Sequence, residues 1–160
     1  MPGRGLRFRL RDYLTLLAGN ESAILTILDA NLNRLREALR VVEEYYRFIA
    51  RHPQLTAKFK ALRHSLQDME QAVGRQRLLR ARDTGADPLA SATRPEELAR
   101  ESAGDVLAAN FKRAQESARV IEEYAKAAGY TRAAVTAKEV RFGMYEAEKL
   151  MTESGTDGKR

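Results

Sequence analysis

The sequence of 160 residues contains no cysteine or tryptophan, and it has only four prolines and ten glycines. Without cysteine the chain forms no disulfide, thiolate nucleophile or thiolate metal site, which excludes thiol-based redox chemistry and suits a cytoplasmic protein. Long apolar runs are also missing. The longest near the start covers only residues 13–18, too short to span a membrane or to act as a signal peptide. We therefore expect a cytoplasmic protein with no membrane partner.

Common catalytic motifs are absent as well, and the most prominent feature of the composition is its high content of charged residues. The chain contains no GxxxxGK[ST] phosphate loop, glycine-rich dinucleotide motif, HExxH or GxSxG. Charged residues make up 31% of it, and the net charge of +6 suits phosphate-bearing partners from nucleotides to RNA. Length and abundant helix-forming residues predict one all-α domain.

An internal repeat organises the chain. Residues 30–45, ANLNRLREALRVVEEY, recur at residues 109–124, with a shift of 79 positions from Asn31 to Asn110. The segment after each copy matches too, with a shift of 78 from Arg63 to Arg141. Two copies are too few for a solenoid. We predict an antiparallel helical bundle of two related helical hairpins with internal pseudo-twofold symmetry.

Apolar spacing and helix-breaking residues predict where the elements begin and end. The predicted organisation is a single domain over residues 21–153, preceded by an arm or short helix at residues 1–20 and followed by a disordered tail at residues 154–160. The predicted helices, in chain order, are residues 21–51, 54–73, 93–128 and 131–150, with a long loop over residues 75–95.

Two polar triplets interrupt the apolar faces of the repeated helices. Asn31 lies close to the centre of its apolar face, and Arg34 and Glu37 follow on the flank. One interpretation is structural: the asparagine fixes helix register, and Arg34 forms an intrahelical ion pair with Glu37. The other is a ligand site, because asparagine can recognise a heterocycle, arginine a phosphate and glutamate a metal ion. The second repeat carries the equivalent residues Asn110, Arg113 and Glu116.

Other candidate residues lie on the second helix of each hairpin and in the long loop. Arg63 and Arg141 are at the edge of an apolar face, where they form interhelical salt bridges or contact substrate. His64 lies on the far side of its helix, as an incidental exposed side chain or as a phosphate ligand. The loop segment at residues 82–87, RDTGAD, could bind hydrated magnesium and phosphate, although aspartate and glycine are also turn formers.

Four segments together resemble the helical hydroxymethylpyrimidine phosphate kinase family of thiamine biosynthesis, which occurs alone or fused to thiamine-phosphate synthase. They are DANLNRLREALRVVEEYYRF, KALRHSL, ARDTGAD and ESAGDVLAANFKRAQESARVIEEYAK, and the resemblance covers residues 27–150. It implies phosphoryl transfer from ATP to 4-amino-5-hydroxymethyl-2-methylpyrimidine phosphate, with magnesium, and a functional link to thiamine-phosphate synthase. In one departure, Pro88-Leu89-Ala90 follows Asp87 where the family continues with a Val-Gly step.

Phosphoryl transfer is mostly positioning and charge neutralisation, so the resemblance suggests roles for the candidate residues. The set predicted to be catalytic is Arg34, Arg113, Arg82 and His64; the substrate-binding set is Asn31, Asn110, Arg63 and Arg141; the magnesium ligands are Asp83, Asp87, Glu37 and Glu116.

Two alternatives come from other functional classes. One is a basic helical module that binds RNA or a partner protein, and the other is a homodimeric regulatory bundle without catalysis. Tyrosine and phenylalanine lie mostly at core spacing, which argues against a nucleic-acid partner bound by base stacking.

Overall fold

The computed structural model describes residues 20–88 and 99–154, and within these ranges the chain is all-α, as predicted. The helices are α1 (Glu21–Glu44), α2 (Pro53–Val73), α3 (Arg75–Ala81), α4 (Ala103–Ala127) and α5 (Thr131–Ser154), and a π-helical turn at Tyr45–Ile49 continues α1. No described helix is long and apolar enough to cross a membrane.

Four of these helices form an antiparallel bundle. Residue numbers rise along one helix as they fall along its partner in each set of interhelical contacts: Arg36–Glu70 and Glu43–Arg63 between α1 and α2, Gln115–Glu148 and Glu122–Arg141 between α4 and α5, and Lys58–Glu146 and Asp68–Arg132 between α2 and α5. Around the bundle the order is α1, α2, α5, α4, because α1 also packs extensively on α4.

Small side chains let α1 and α4 approach closely at the centre of the bundle. Ala38 on α1 and Ala114, Ser117 and Ala118 on α4 are all buried. Larger residues fill the space above and below them, where Phe59 and Phe111 meet edge to face with ring centroids 5.8 Å apart. Matched residues of the two hairpins make matched contacts, while the pseudo-twofold relation itself stays a prediction.

The π-helical turn explains why the repeat shift changes from 79 to 78. The first repeat has one more residue than the second between its two helices, and π-helical hydrogen bonding accommodates an inserted residue in a helix. The Ala50 N–H donates to the Tyr45 carbonyl at 3.0 Å, a five-residue step, whereas α4 stays α-helical to Ala127. The extra residue is thus absorbed at the end of α1.

Each hairpin turn contains one residue with left-handed backbone angles, and the residue type differs between the two turns. After α4, Gly129 has φ +79°, and the Tyr130 N–H donates to the Ala125 carbonyl at 2.8 Å, as in a Schellman motif. After α1 the equivalent residue is Arg51, with φ +50°. Glycine adopts this conformation without strain and arginine does not.

Two element boundaries were wrongly predicted. The predicted loop at residues 75–95 is helical over α3, because Gly74, with φ +103°, redirects the chain and Leu78 is then buried. The helix predicted from residue 93 is not present over residues 99–102. Instead, α4 begins after Ser102, whose hydroxyl accepts the Asp105 N–H at 3.1 Å and caps the helix.

The predicted arm and tail lie outside the described residues, apart from Asn20 and Ser154. Residues 89–98 of the predicted loop also lie outside. The single-domain organisation of residues 21–153 stays a prediction.

Candidate functional site

The two flanks of α1 face different partners. On one flank Asp29 accepts two hydrogen bonds from Arg82, at 2.7 and 2.8 Å, and Glu43 accepts one from Arg63 of α2 at 2.8 Å. At about 100° per residue, Arg34 lies about 140° from Asp29 and 180° from Glu43 around the helix. Arg34 is therefore on the flank that borders α4. By the same step, Arg113 lies opposite Glu122, on the flank of α4 that borders α1.

We call the surface between these flanks the α1–α4 groove. It carries both predicted triplets: Asn31, Arg34 and Glu37 from α1, and Asn110, Arg113 and Glu116 from α4. The asparagines are buried, at 7% and 8% exposure, and the four charged residues are exposed. Within residues 20–88 and 99–154 none of these four forms a hydrogen bond or ion pair, so the predicted intrahelical ion pairs are not formed.

Aromatic contacts show how the two triplets are arranged along the groove. The ring of Phe111, next to Asn110, contacts Phe59, which stacks on Tyr46 at 5.3 Å. Asn110 therefore lies near the Tyr46 end of α1, whereas Asn31 is 15 residues before Tyr46, about 22 Å from it along the helix axis. The asparagines occupy opposite ends of the groove.

The glutamates lie between the asparagines in this arrangement. Glu37 is six residues from Asn31, and Glu116 is six residues from Asn110, so each carboxylate lies about 9 Å inward along its helix. The groove therefore presents, from end to end, the side chains of Asn31, Arg34, Glu37, Glu116, Arg113 and Asn110. Six of the twelve predicted site residues share this one surface.

Each asparagine is held by its own helix and keeps hydrogen-bonding capacity. The Nδ2 group of Asn31 donates to the Ile27 carbonyl at 2.9 Å, and that of Asn110 to the Val106 carbonyl at 2.8 Å. Such bonds stay within one helix and do not fix the register between helices. No other described residue bonds these amides, so each retains one N–H and its oxygen, a donor and acceptor pair of the kind that binds a heterocycle.

Arg63 and Arg141 each form an interhelical salt bridge, which was one of the two roles predicted for them. Their partners, Glu43 and Glu122, are 3% and 2% exposed. Burial raises the pKa of Glu122, but hydrogen bonds from Lys126 and Arg141 outweigh it and lower the pKa to about 2. These arginines neutralise buried carboxylates, and their predicted contact with substrate stays a prediction.

An open cleft of about 390 Å³ lies above the seam of α1 and α2. Its lining residues are Arg36, Arg63, Gln67, Glu70, Gln71 and Arg75. Arg36 bonds Glu70, and Arg63 bonds Glu43, so two of its three arginines are already neutralised by the protein. The α1–α4 groove, whose cations have no carboxylate partner in the described ranges, is the stronger candidate for binding an anionic ligand.

The loop after α3 starts against α1, where the Thr26 hydroxyl donates to the Ala81 carbonyl at 2.7 Å. The Arg82–Asp29 pair fixes its first residue, and Asp83 accepts the Ala86 N–H at 3.0 Å, as a turn former does. Residues 20–88 and 99–154 contain no group of three or more histidines and carboxylates able to hold a metal ion. His64 is exposed on the outer face of α2. His64 therefore lies away from the groove, and the predicted roles of Arg82, Asp83 and Asp87 stay predictions.

Sequence reasoning missed the buried carboxylates. Asp29, Glu43 and Glu122 are buried yet were not among the predicted site residues. Their signal was present, because Glu43 and Glu122 are matched positions of the repeat and both lie on the border of an apolar face.

Comparison with known proteins identifies relatives for most of the chain. Residues 26–150 match the model of the ThiD2 family. Relatives include thiamine-phosphate synthases of Gloeobacter violaceus (45% identical over 132 residues; 82% of this chain, 37% of that protein), Thermosynechococcus vestitus (43% over 129; 79% and 34%) and Nostoc punctiforme (40% over 128; 80% and 35%). The chain thus spans just over a third of these relatives. No solved structure matches it.

Proposed function

The chain belongs to the ThiD2 family, and from this premise we propose that it acts in thiamine biosynthesis as a kinase. The proposed reaction transfers the γ-phosphoryl group of ATP to 4-amino-5-hydroxymethyl-2-methylpyrimidine phosphate and yields the diphosphate. Relatives named thiamine-phosphate synthase support the pathway. The four sequence segments that resemble the hydroxymethylpyrimidine phosphate kinase family support the reaction.

The observation that carries the proposal is the arrangement of the α1–α4 groove. A kinase must bind two ring-bearing molecules so that their phosphates meet, and each end of the groove has an amide with an N–H and an oxygen that bond no described residue, a pair suited to a heterocycle. In the proposed complex one asparagine binds the adenine of ATP and the other binds the pyrimidine. A separation of about 22 Å along the helix axis between the two ends of the groove leaves room for the phosphates in between.

The charged residues of the groove lie where those phosphates would meet. The planar forks of Arg34 and Arg113 suit two phosphate groups. Glu37 and Glu116 fit a magnesium ion in the way proteins usually bind it, through one or two carboxylates together with substrate phosphates and water. Magnesium, when bound, neutralises charge on the phosphates during transfer.

The acceptor chemistry requires little from the protein. A phosphate monoester carries about 1.5 to 2 negative charges at pH 7, so its oxygen can attack without a general base. An acceptor oxygen forms the new bond to the γ-phosphorus, the bond from that phosphorus to the β–γ bridging oxygen breaks, and ADP leaves. Arg34 and Arg113 orient the two phosphates in line. The predicted roles of Arg82, Asp83, Asp87 and His64 stay predictions.

A coupled assay of ADP formation tests this function. Purified chain is mixed with ATP, magnesium and the pyrimidine phosphate, and Arg34→Ala is compared with Arg132→Ala, an exposed arginine of α5 outside the groove. We expect turnover that Arg34→Ala lowers at least 100-fold, because removing one group that stabilises transition-state charge has effects of this order. Arg132→Ala should keep wild-type activity.

Two other results would change the proposal. A folded wild-type protein without turnover, which instead binds RNA with steep salt dependence, would favour the basic binding module. If turnover survives both Arg34→Ala and Arg113→Ala, the protein is a kinase, but its active site is not the groove.

A further inference from the structure

The turn between α1 and α2 carries a cleft of its own, of about 630 Å³. We call it the turn cleft, and its lining residues are Arg47, Phe48, Arg51, His52, Pro53, Thr56, Ala57 and Lys60. None of them belongs to the α1–α4 groove or to the predicted site residues.

The charge of the turn cleft is of one sign. Arg47, Arg51 and Lys60 line it, and no acidic residue does. Within the described ranges none of the three forms an ion pair, in contrast to Arg63 and Arg82. Cations near the end of α1 complement the helix dipole, but this does not account for Lys60, which projects from the third turn of α2. The cleft therefore offers unpaired positive charge to an anion.

An aromatic ring lies beside these cations. Phe48 is 60% exposed, and the guanidinium of Arg47 lies 4.7 Å from the centre of its ring. Pro53 and Ala57 add apolar surface next to it. An exposed phenylalanine costs solvation energy that a flat ligand ring would recover by stacking on it. The combination suits a ligand that carries both an aromatic ring and an anionic group.

The cleft adjoins the one point where the first repeat has a residue that the second repeat lacks. The inserted residue and its π-helical turn lie at Tyr45–Ile49, and single π-helical turns frequently occur at functional sites. At the equivalent turn after α4, Lys126 bonds Glu122 and Glu123, and Gly129 replaces Arg51. A chain that needed only to reverse direction would use glycine there, as its second hairpin does. The cleft therefore lies where the two hairpins differ.

We propose that the turn cleft is a second binding site for a small molecule with a phosphate group on an aromatic or heteroaromatic ring. Arg47, Arg51 and Lys60 bind the phosphate, and Phe48 stacks on the ring. The site shares no residue with the α1–α4 groove, and the proposal does not depend on phosphoryl transfer in the groove.

The test uses three probes and equilibrium dialysis followed by naphthyl fluorescence or phosphate assay. 1-Naphthyl phosphate carries ring and anion, 1-naphthol the ring alone, and inorganic phosphate the anion alone. We expect the wild type to bind 1-naphthyl phosphate at least tenfold more tightly than either fragment. Arg47→Gln/Arg51→Gly and Phe48→Ala should each weaken that binding at least tenfold. Arg51→Gly suits the backbone at φ +50°, so loss of binding would not reflect misfolding.

Two control variants locate the binding. Arg80→Gln/Arg132→Gln removes the same charge from exposed positions of α3 and α5 and should bind within twofold of the wild type. Arg34→Ala/Arg113→Ala should lose any kinase activity and keep 1-naphthyl phosphate binding, which separates this site from the groove.

Several results would overturn the proposal. Equal binding by the turn-cleft variants and the wild type would place the ligand elsewhere. Naphthol bound as tightly as its phosphate would indicate a plain apolar patch. Binding of hexaglutamate peptide without any binding of 1-naphthyl phosphate would identify the cleft as a docking surface for an acidic protein segment.

Discussion

Glu122 shows how a single buried charge couples the two helices of a hairpin. Its carboxylate is 2% exposed and accepts hydrogen bonds from Lys126 at 2.7 Å and from Arg141 of α5 at 2.7 and 3.2 Å. Removing one partner of such a group costs about 3–5 kcal/mol, because the other charge is left buried and unpaired. The free energy of unfolding should therefore be sensitive to the protonation of Glu122.

We predict that acid destabilises the protein partly through this residue. The pKa of Glu122 is about 2 in the folded chain, against an ordinary 4.5. Because the folded-state pKa is lowered, the stabilisation is fully present above pH 4.5 and is lost as the pH falls from 4.5 towards 2. The difference corresponds to at most about 3 kcal/mol. Urea unfolding at several pH values between 2.5 and 7 measures it.

Glu122→Gln tests the assignment. This variant should be less stable than the wild type at pH 7, and its unfolding free energy should change less between pH 4.5 and 2.5. Glu139→Gln, at an exposed position of α5, is the control and should follow the wild-type profile. An unchanged acid profile in Glu122→Gln would show that other groups cause the loss of stability.

At this scale the sequence predicted some residues and missed others for a physical reason. Asn31, Arg34 and Glu37 were predicted as site residues because they interrupt the apolar face of one helix, which spacing along that helix reveals; their roles stay predictions. Asp29 and Glu43 were not predicted as the partners of Arg82 and Arg63, because a pair between helices depends on the register of one helix against another.

The π-helical turn is the element in which the two repeats differ. Its extra residue explains the change of repeat shift, and it exposes Phe48 and Ile49 at 60% and 59%. An exposed residue in a bulge contributes little to the core. Removing it should therefore restore an ordinary helix end like that of α4 without breaking the bundle.

We predict that deleting Ile49 converts the π-helical turn into α-helix. The variant should remain folded, with an unfolding free energy within about 2 kcal/mol of the wild type, inside the range of most single mutations. NMR contacts between residues five apart at the end of α1 should be replaced by contacts between residues four apart. Because the turn cleft depends on this bulge, 1-naphthyl phosphate binding should be lost.

The matched control is deletion of Ala128 at the end of α4. That helix end has no bulge to absorb the deletion, and its Schellman motif places Gly129 at the left-handed position. Deleting Ala128 should cost more stability than deleting Ile49. If the two deletions cost the same, or if the Ile49 deletion unfolds the chain, the inserted residue would be part of the core packing.

Other elements show the limits of local sequence signals. The helix α3 spans seven residues and buries only Leu78, so it is too short to reveal a periodic apolar face. Its helical state depends on Gly74 and on packing against α1, which only the folded chain supplies. At the start of α4, Ser102 acts as the cap although plausible start signals occur earlier, at residues 93–97.

For the whole molecule, the repeat predicted the helices and the structure supplied their arrangement. Both triplets were expected in one bundle, and they do share the α1–α4 groove. Antiparallel packing then places the asparagines at opposite ends, about 22 Å apart along the helix axis. This separation depends on how α1 and α4 are aligned, which no spacing within one helix can give. Because of this separation, the two copies of the triplet form one groove with an asparagine at each end.

Binding of a different substrate at each end of the groove predicts a kinetic result that a purely structural role for the asparagines does not predict. If each end binds a different substrate, then Asn31→Leu and Asn110→Leu should affect different Michaelis constants, one for ATP and the other for the pyrimidine phosphate. Each loses hydrogen bonds to one ring, so the relevant KM should rise about tenfold or more, corresponding to at least about 1.4 kcal/mol. Steady-state kinetics with each substrate varied in turn measures both values.

Stability measurements on the same variants separate binding from packing. Leucine has nearly the shape of asparagine, and each amide bonds only its own helix, so the unfolding free energy should change by less than about 1.5 kcal/mol. Large losses of stability with unchanged KM values would mean that the asparagines serve the bundle. A rise in the same KM for both variants would mean that both ends contact one substrate, and the donor and acceptor would then have to meet elsewhere on the molecule.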